Sequence, residues 1–381
     1  MYPRLLAAPR RSFFLFGPRA TGKSTWLRAN FPTAHAFDLL RADVRVPLLR
    51  DPALFRRQVE AFDDREWVVV DEVQQVPALL PEIHSLIEST RRRFAMSGSS
   101  ARKLVRGKAN LLAGRASVRH MHPLSAVELG DDFVPSRVLR YGTLPIVVAA
   151  GREAADVLES YSLTYLKEEI QAEAFVRDLG AFARFLECSA LANAQITNVS
   201  SLARDAGVQR TTVQGYFQIL LDTLVGTLLP AYRPRARIKE QAHPKFYWFD
   251  SGVARAIAGR HRTEPTAEEL GALLETYVLH ELRTRMDVAS LPGELSYWRT
   301  PDGVEVDFVL REAHRTVGIE VKAARDWRSS HGRGLRALAS ALPITGAWAV
   351  YLGASPQRDG SVRVLPVESF VRLLHAGEVI G

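Results

Sequence analysis

The chain is 381 residues long, a length that at ~100 to 200 residues per domain implies two or three domains with room for a sizeable core. Its 47% hydrophobic and 24% charged residues exclude a disordered polymer and a fibre. Fifty Lys and Arg against 42 Asp and Glu leave a net charge of +8 and a pI of about 9.7, a field suited to a polyanionic partner. The single cysteine, Cys188, excludes an intramolecular disulfide and a cysteine-only zinc site. The longest apolar runs, such as Trp67 to Val70, Ile146 to Ala150 and Ala347 to Leu352, fall far short of the ~18 residues of a membrane span. With no signal-peptide core in residues 1–11 either, the cytoplasm is the expected location and no membrane partner is expected.

Phe13 to Phe16 read as a short buried parallel strand that ends at glycine. Gly17, Pro18, Arg19, Ala20, Thr21, Gly22, Lys23 and Ser24 follow, two glycines then lysine and a hydroxyl, with Thr25 completing the expected nucleotide-binding loop. Glycines let the backbone N-H groups turn inward on phosphate, Lys23 suits the β- and γ-phosphates, and Ser24 suits Mg²⁺. A helix that begins here aims its positive end at the same anion, with Trp26 and Leu27 against the sheet. ATP with Mg²⁺ is therefore the expected cofactor pair.

Trp67 to Val70 form a second buried strand that ends in Asp71 and Glu72, 48 residues after Lys23. Asp71 is expected to hold Mg²⁺ and Glu72 to activate the attacking water. A third strand, Phe94 to Met96, delivers Ser97 to Ser100 to the same edge, where Ser97 or Ser99 is a candidate γ-phosphate sensor. From Arg91 to Arg119 nine basic residues occur without an acid: Arg91, Arg92, Arg93, Arg102, Lys103, Arg106, Lys108, Arg115 and Arg119. Such a run is either a solvated face or a surface that follows a nucleic-acid backbone. Arg115 is also a candidate arginine finger on a neighbouring subunit.

The segment Gly17 to Glu128 resembles the AAA+-type ATPase domain of a widespread prokaryotic family. Besides the P-loop it carries Asp71-Glu72-Val73-Gln74, Ser97-Gly98-Ser99-Ser100, Leu112-Ala113-Gly114-Arg115 and Pro123-Leu124-Ser125 to Glu128. Later segments agree, among them Tyr141-Gly142-Thr143-Leu144-Pro145, Tyr165-Leu166-Lys167 and Lys245-Phe246-Tyr247-Trp248-Phe249-Asp250. The resemblance implies a carboxyl-terminal domain of restriction-endonuclease-like type. It also implies a homo-oligomer with sites between subunits, a hexamer being the candidate ring.

Residues 152–194 read as a helical layer whose stripe is Leu158, Tyr161, Leu163, Tyr165 and Leu166, with Glu168, Glu169 and Glu173 on a solvated face. Ser200 and Ser201 are expected to cap a helix through Leu202, Ala203 and Ala206, and Gly207 to turn the chain. Val213, Phe217, Leu220, Leu221 and Leu224 are the expected buried face of a second helix. That reads as a helix-turn-helix with Arg210, Thr211, Thr212 and Gln214, along with Gln218, directed at DNA. Gly226 to Tyr232 and Lys245 to Phe249 suit a wing, with Arg233, Arg235, Arg237 and Lys239 between them.

The last domain opens with a helix bearing Leu273, Leu274, Glu275, Val278, Leu279 and Leu282. Alternation along Val304 to Val309 places Glu305 and Asp307 on one face, and Glu320 and Lys322 share a face of the next strand. A hairpin joins Asp307, Glu320 and Lys322, with Asp307 and Glu320 the candidate metal ligands and Lys322 positioned to orient water. The pattern resembles the core of PD-(D/E)XK nucleases, Glu275 matching the acid of the preceding helix, although Val306 stands where the motif has proline.

The expected fold is α/β throughout: a P-loop ATPase core over 1–130, a helical linker over 131–195, a winged-helix domain over 196–250 and a nuclease-like domain over 251–381. The expected activity is an ATP-hydrolysing motor or switch on duplex or branched DNA, with metal-dependent nuclease activity left open. The alternatives are a nucleotide-gated defence or toxin-like module, and a regulator whose last two domains make protein contacts.

Overall fold

A computed structural model describes residues 2–100, 114–166, 178–232 and 243–380. The expected positions Arg102, Lys103, Arg106, Lys108, Leu112, Ala113, Lys167, Glu168, Glu169, Glu173, Arg233, Arg235, Arg237 and Lys239 lie outside the described residues. The chain divides into two compact units, one of residues 3–123 with 222–224 and one of Tyr2, 124–221 and 225–381. No described helix is long and apolar enough to cross a membrane.

The first unit is a parallel sheet of five strands in the order β2-β3-β4-β1-β5: β1 (Phe13–Phe16), β2 (His35–Asp38), β3 (Trp67–Asp71), β4 (Arg93–Gly98) and β5 (Ser117–His120). All its pairings are parallel. Strict alternation sorts the apolar run of β1 between two cores. Phe14 and Phe16 meet Phe55 and Val59 of α3 (Ala53–Glu60) and Ile83 and Leu86 of α4 (Leu79–Ser89), while α2 (Ala42–Arg50) adds Leu48. Phe13 and Leu15 meet Trp26 and Leu27 of α1 (Lys23–Asn30). Each fully buried side chain of this size contributes ~1.5–3 kcal/mol, so both layers press the carboxyl ends of β1, β3 and β4 into one edge.

The second unit begins with α5 (Ala126–Leu129), α6 (Pro135–Tyr141), α7 (Pro145–Ala149) and α8 (Ala154–Ser160). A π-helical turn over Tyr161–Leu166 follows, and it breaks the expected stripe. Leu158 and Tyr161 are buried, whereas Leu163 is exposed because the wide turn carries it off that face. After α9 (Leu179–Leu191), Asn198 accepts from Ser201 N and caps α10 (Val199–Ala206), so the cap lies just before the expected serines. Gly207 turns the chain at φ 70. In α11 (Arg210–Asp222) the buried side chains are Val213, Tyr216, Phe217, Ile219 and Leu220. Leu221 is half-buried, and Leu224 lies past the helix with its own φ of 62. A small antiparallel sheet, β6-β8-β7, joins β6 (Gln195–Ile196), β7 (Gly226–Leu229) and β8 (Lys245–Trp248). Next comes α12 (Ser251–Ile257).

The rest is built on α13 (Ala267–Ala289) and a six-stranded mixed sheet of order β13-β14-β12-β11-β10-β9. Its strands are β9 (Glu294–Arg299), β10 (Glu305–Glu312), β11 (Arg315–Lys322), β12 (Gly346–Tyr351), β13 (Gln357–Asp359) and β14 (Val362–Pro366). Leu274, Val278 and Leu282 of α13 and Phe370 and Leu374 of α15 (Val367–Ala376) cover one face through Phe308, Leu310 and Ile319. Leu335 and Leu338 of α14 (Arg333–Ala341) cover the other through Val306, Val309 and Ala349. Val306 and Phe308 therefore pack on opposite sides, contrary to simple alternation. The cause is a bulge: Val306 pairs Trp298 while Val309 pairs Ser296, three steps along β10 against two along β9.

Candidate functional site

At the edge of the parallel sheet, Gly17 leaves β1 where an added Cβ would stand 2.3 Å from the Met121 carbonyl oxygen, so only glycine fits. The loop curls through positive φ at Ala20 and Gly22, and the Thr21 hydroxyl donates to Pro18 O at 2.8 Å. Arg4 braces it from outside, donating to Thr21 O at 2.8 Å and His122 O at 2.6 Å. Lys23 is buried, and its ammonium donates to Gly17 O at 2.8 Å and Pro18 O at 3.1 Å. No side chain caps α1, which leaves the amides of its first turn for an anion. Arg19, Ser24 and Thr25 are half-buried at the rim. These features fit a nucleotide phosphate group: a collar of amides, a buried lysine and a hydroxyl.

Asp71 ends β3 and accepts from the Ser97 hydroxyl, whose oxygen also accepts Glu72 N at 3.0 Å. Glu72 has φ 58 and ψ 50, a left-handed conformation that a non-glycine residue adopts only when its surroundings hold it there. Its buried carboxylate accepts from Gln74 Nε2 and, at 3.3 Å, from the Ser99 hydroxyl, while Gln74 Nε2 also donates to Ser99 Oγ at 3.0 Å. The two serines thus divide the acids between them, Ser97 on Asp71 and Ser99 on Glu72. Gln74 was not foreseen as a site residue; the signal for it is an amide side chain two positions beyond the candidate base, on a one-turn 3₁₀ segment. Arg115 pairs with Glu88 of α4, which His84 also approaches at 3.4 Å. Arg92 is buried and donates to Phe62 O at 2.8 Å, and Arg93 lies 4.9 Å from the Trp67 ring centroid, so both are engaged within the unit.

In the second unit, Arg210, Thr211, Gln214 and Gln218 are exposed and Thr212 half-buried, opposite the packed side of α11. The hairpin of β10 and β11 pairs Phe308 with Ile319 and sets Asp307 beside β11, where Asp307 Oδ2 accepts Val321 N at 2.8 Å. Asp307, Glu320, Lys322 and Glu275 of α13 are brought together with two partners not foreseen, Lys245 and Tyr247 of β8. The Lys245 ammonium lies 2.5 Å from Glu305, 3.3 Å from Glu275 and 3.4 Å from Asp307. Lys322 lies 2.5 Å from Glu320, and the Tyr247 hydroxyl donates to Glu275 at 3.0 Å. Burial, then the charge of Asp307, pushes Glu275 and Glu320 each up to about 8. For Lys245 burial works against the charge, but Asp307, Glu275 and Glu305 outweigh it and raise the ammonium above its ordinary value.

A divalent ion, implied for Asp307 and Glu320 by the nuclease resemblance, fits this cluster poorly. Lysine already takes an oxygen from each of Glu275, Glu305 and Asp307. Among the described residues no group of three or more His, Cys, Asp or Glu side chains is arranged to hold a metal. A second buried acid of α13, Glu281, also went unforeseen. It accepts Ala126 N at 2.7 Å and the Tyr277 hydroxyl, and pairs with His375 at 2.6 Å, which docks the start of α5 onto α13.

Three family models match the chain: an AAA domain over residues 9–130, and two domains of unknown function, DUF8612 over 135–264 and DUF4143 over 270–370. The first unit is accordingly an ATPase-like domain of AAA type. An uncharacterized protein of Mycobacterium tuberculosis is 27% identical over 347 residues, 89% of this chain and 76% of its own. One of Haemophilus influenzae is 22% identical over 288 residues, 70% of this chain and 68% of its own. Among solved structures, the Orc1 protein of Aeropyrum pernix, in complex with DNA, is 14% identical with a TM-score of 0.30 over 66% of this chain and 87% of that one.

Proposed function

We propose that the chain is an ATP-hydrolysing switch that engages duplex or branched DNA and works as a homo-oligomer. The observation that supports the ATPase reading most is the meeting of an inward-turned P-loop with Asp71 and Glu72, each acid held by its own serine. In this reading the amides of residues 17–25 and Lys23 hold the phosphates, and Ser24 and Asp71 hold Mg²⁺. The ion supplies neutralisation of the charge on the β- and γ-oxygens. Glu72 orients the attacking water, Ser99 setting the direction of its carboxylate.

The DNA reading rests on the net charge of +8 and the exposed polar face of α11. Here α10, α11 and the small sheet are read as a winged helix. The sheet of β9 to β14 is read as restriction-endonuclease-like, supported by an acid-bearing hairpin behind a long helix. The deciding experiment is ATP turnover with single-stranded, duplex and junction DNA: stimulation by one of these is expected, and equal turnover with and without every DNA removes the DNA reading. Arg210→Ala should weaken duplex binding across sequences and flatten its log-log salt dependence by about 1, as one lost phosphate contact does. An unchanged slope, measured by fluorescence anisotropy between low and high salt, removes Arg210 from the interface.

Arg115 is proposed as a finger acting on a neighbouring subunit, for which its pairing with Glu88 would have to be exchanged. Arg115→Ala should then lower turnover by ~10³-fold with ATP affinity kept. Mixing it with Glu72→Gln subunits should restore part of the rate, since some interfaces then join an intact arginine to an intact glutamate. No restoration at any ratio, with a monomer by light scattering, contradicts both the finger and the ring.

A further inference from the structure

We infer that Lys245 is the resident cation of the carboxyl-terminal acid cluster, an internal ammonium standing where the restriction-endonuclease-like reading of this sheet, on which the comparison rests, would place a divalent metal. The inference concerns the acid cluster alone and does not depend on the ATPase or DNA reading. Lysine has three donors and no acceptor, and here three carboxylates surround it: Glu305 at 2.5 Å, Glu275 at 3.3 Å and Asp307 at 3.4 Å. Most of the remaining oxygens are also engaged. Asp307 Oδ2 takes Val321 N at 2.8 Å, Glu305 Oε2 faces Arg299 at 3.3 Å, and Glu275 Oε2 also takes the Tyr247 hydroxyl at 3.0 Å. Glu320 Oε1 faces Lys322 at 2.5 Å, which leaves Glu320 Oε2 as a buried acceptor without a hydrogen bond. Glu275 Oε1 and Glu320 Oε2 are thus the two oxygens not engaged within the cluster, each on a carboxylate held through its other oxygen, whereas Mg²⁺ needs a near-octahedral set at ~2.0–2.1 Å.

The lysine is fixed by its strand as well as by its charges. β8 is the middle strand of its sheet, paired with β6 through Ile196 and with β7 through Leu229 at the level of Lys245. All four residues of β8 are buried, Phe246 packing against Phe217 on one side while Lys245 and Tyr247 reach the acids on the other. The ammonium also lies 5.7 Å from the Tyr297 ring centroid, and that tyrosine's hydroxyl donates to His243 O at 2.6 Å. The pairing on both sides fixes the backbone from which the ammonium reaches the acids. Charge leads to the same conclusion: Lys245, Lys322 and Arg299 already face the four acids Glu275, Glu305, Asp307 and Glu320, and a divalent ion would enter against an ammonium at contact distance. The cluster therefore works as a metal-free clamp between β8, α13 and β10.

The test is a Mn²⁺ titration of the full, nucleotide-free chain, followed by the Mn²⁺ spin-resonance signal, with melting recorded in EDTA and in Mn²⁺. The wild type should leave Mn²⁺ free and melt at the same temperature in both. Lys245→Met, which keeps most of the stem but not the charge, should melt lower in EDTA, recover in Mn²⁺ and bind one ion at least ~30-fold more tightly than wild type. Adding Asp307→Asn to it should abolish that binding. Lys245→Arg, still charged, should fold and take up no ion. Wild-type uptake of Mn²⁺ that Asp307→Asn removes overturns the inference whether or not Lys245→Met folds. A Lys245→Met chain that folds, binds no ion and melts like wild type in EDTA overturns it as well.

Discussion

Glu72→Gln is expected to keep ATP bound and to lose ~10²- to 10⁴-fold in turnover, whereas Lys23→Ala is expected to lose binding itself. The two residues do different work at the same edge. Lys23 is a buried charge whose present partners include two carbonyl oxygens of its own loop, Gly17 O and Pro18 O. Phosphate oxygens are stronger partners for an ammonium than carbonyls are, so bound nucleotide replaces those contacts, and alanine leaves nothing to replace them with. Glu72 has no such anchoring task. Its glutamine variant is nearly the same shape, and the structure already holds a means of accepting it: Gln74 Oε1 is buried with no hydrogen-bond partner. A half-turn of the Gln74 amide presents that oxygen to the new amide, so the variant folds and binds while lacking the carboxylate that accepts a proton. Nucleotide titration and phosphate release read the two effects apart. Wild-type turnover in Glu72→Gln would remove Glu72 from the chemistry.

Gly252→Ala should unfold the second unit, with a loss of more than ~3 kcal/mol from forced overpacking. An alanine Cβ at this position would stand 2.0 Å from the Tyr141 carbonyl oxygen and 2.7 Å from Gly142 N, backbone atoms that have nowhere to go. The close approach exists because α12 begins against the end of α6. Asp250 caps α12 through Val253 N at 3.0 Å and also accepts Thr143 N at 2.7 Å, and Ser251 donates to Val138 O at 2.8 Å. Gly215, within α11 and with nothing within 4 Å of its added Cβ, is the matched control. Gly215→Ala should stabilise by ~0.5–1 kcal/mol, since it removes unfolded-state freedom at no steric cost. Thermal melts of the two variants give the comparison; a Gly252→Ala chain that melts like wild type would mean that α12 sits elsewhere.

What could be read from the sequence was local. The P-loop and the Asp71-Glu72 strand end depend on short spacings and on one apolar run each, and β1, β3 and α1 lie where those runs lie. The division of labour between Ser97 and Ser99 depends on how β3 pairs with β4, Val70 opposite Met96, and no single segment carries that information. The cap at Asn198 against Ser200 and Ser201 was a choice between residues of equal capping strength two or three positions apart. Lys245 was visible only as part of a motif, because its acids lie 30, 60 and 62 positions away, on α13 and on a strand of another sheet. Glu281 was hidden for the opposite reason: within an apolar helical stripe a glutamate reads as solvated, and its partners at Ala126 and His375 lie far along the chain in both directions.

The bulge in β10 makes the strand out of phase with itself. Residues before it and after it obey opposite parity rules, so Val306 and Val309 share a side although an odd number of steps separates them. Length here therefore matters more than chemistry. Removing one residue between Val306 and Val309 would straighten the ladder and turn everything upstream over. Glu305 would then face the aliphatic bed under α14, and Val306 would take its place among the acids. Substitutions along this stretch change one side chain at a time; deleting a single residue would exchange the two faces of the strand, which makes the number of residues in β10 a property that the fold has to protect.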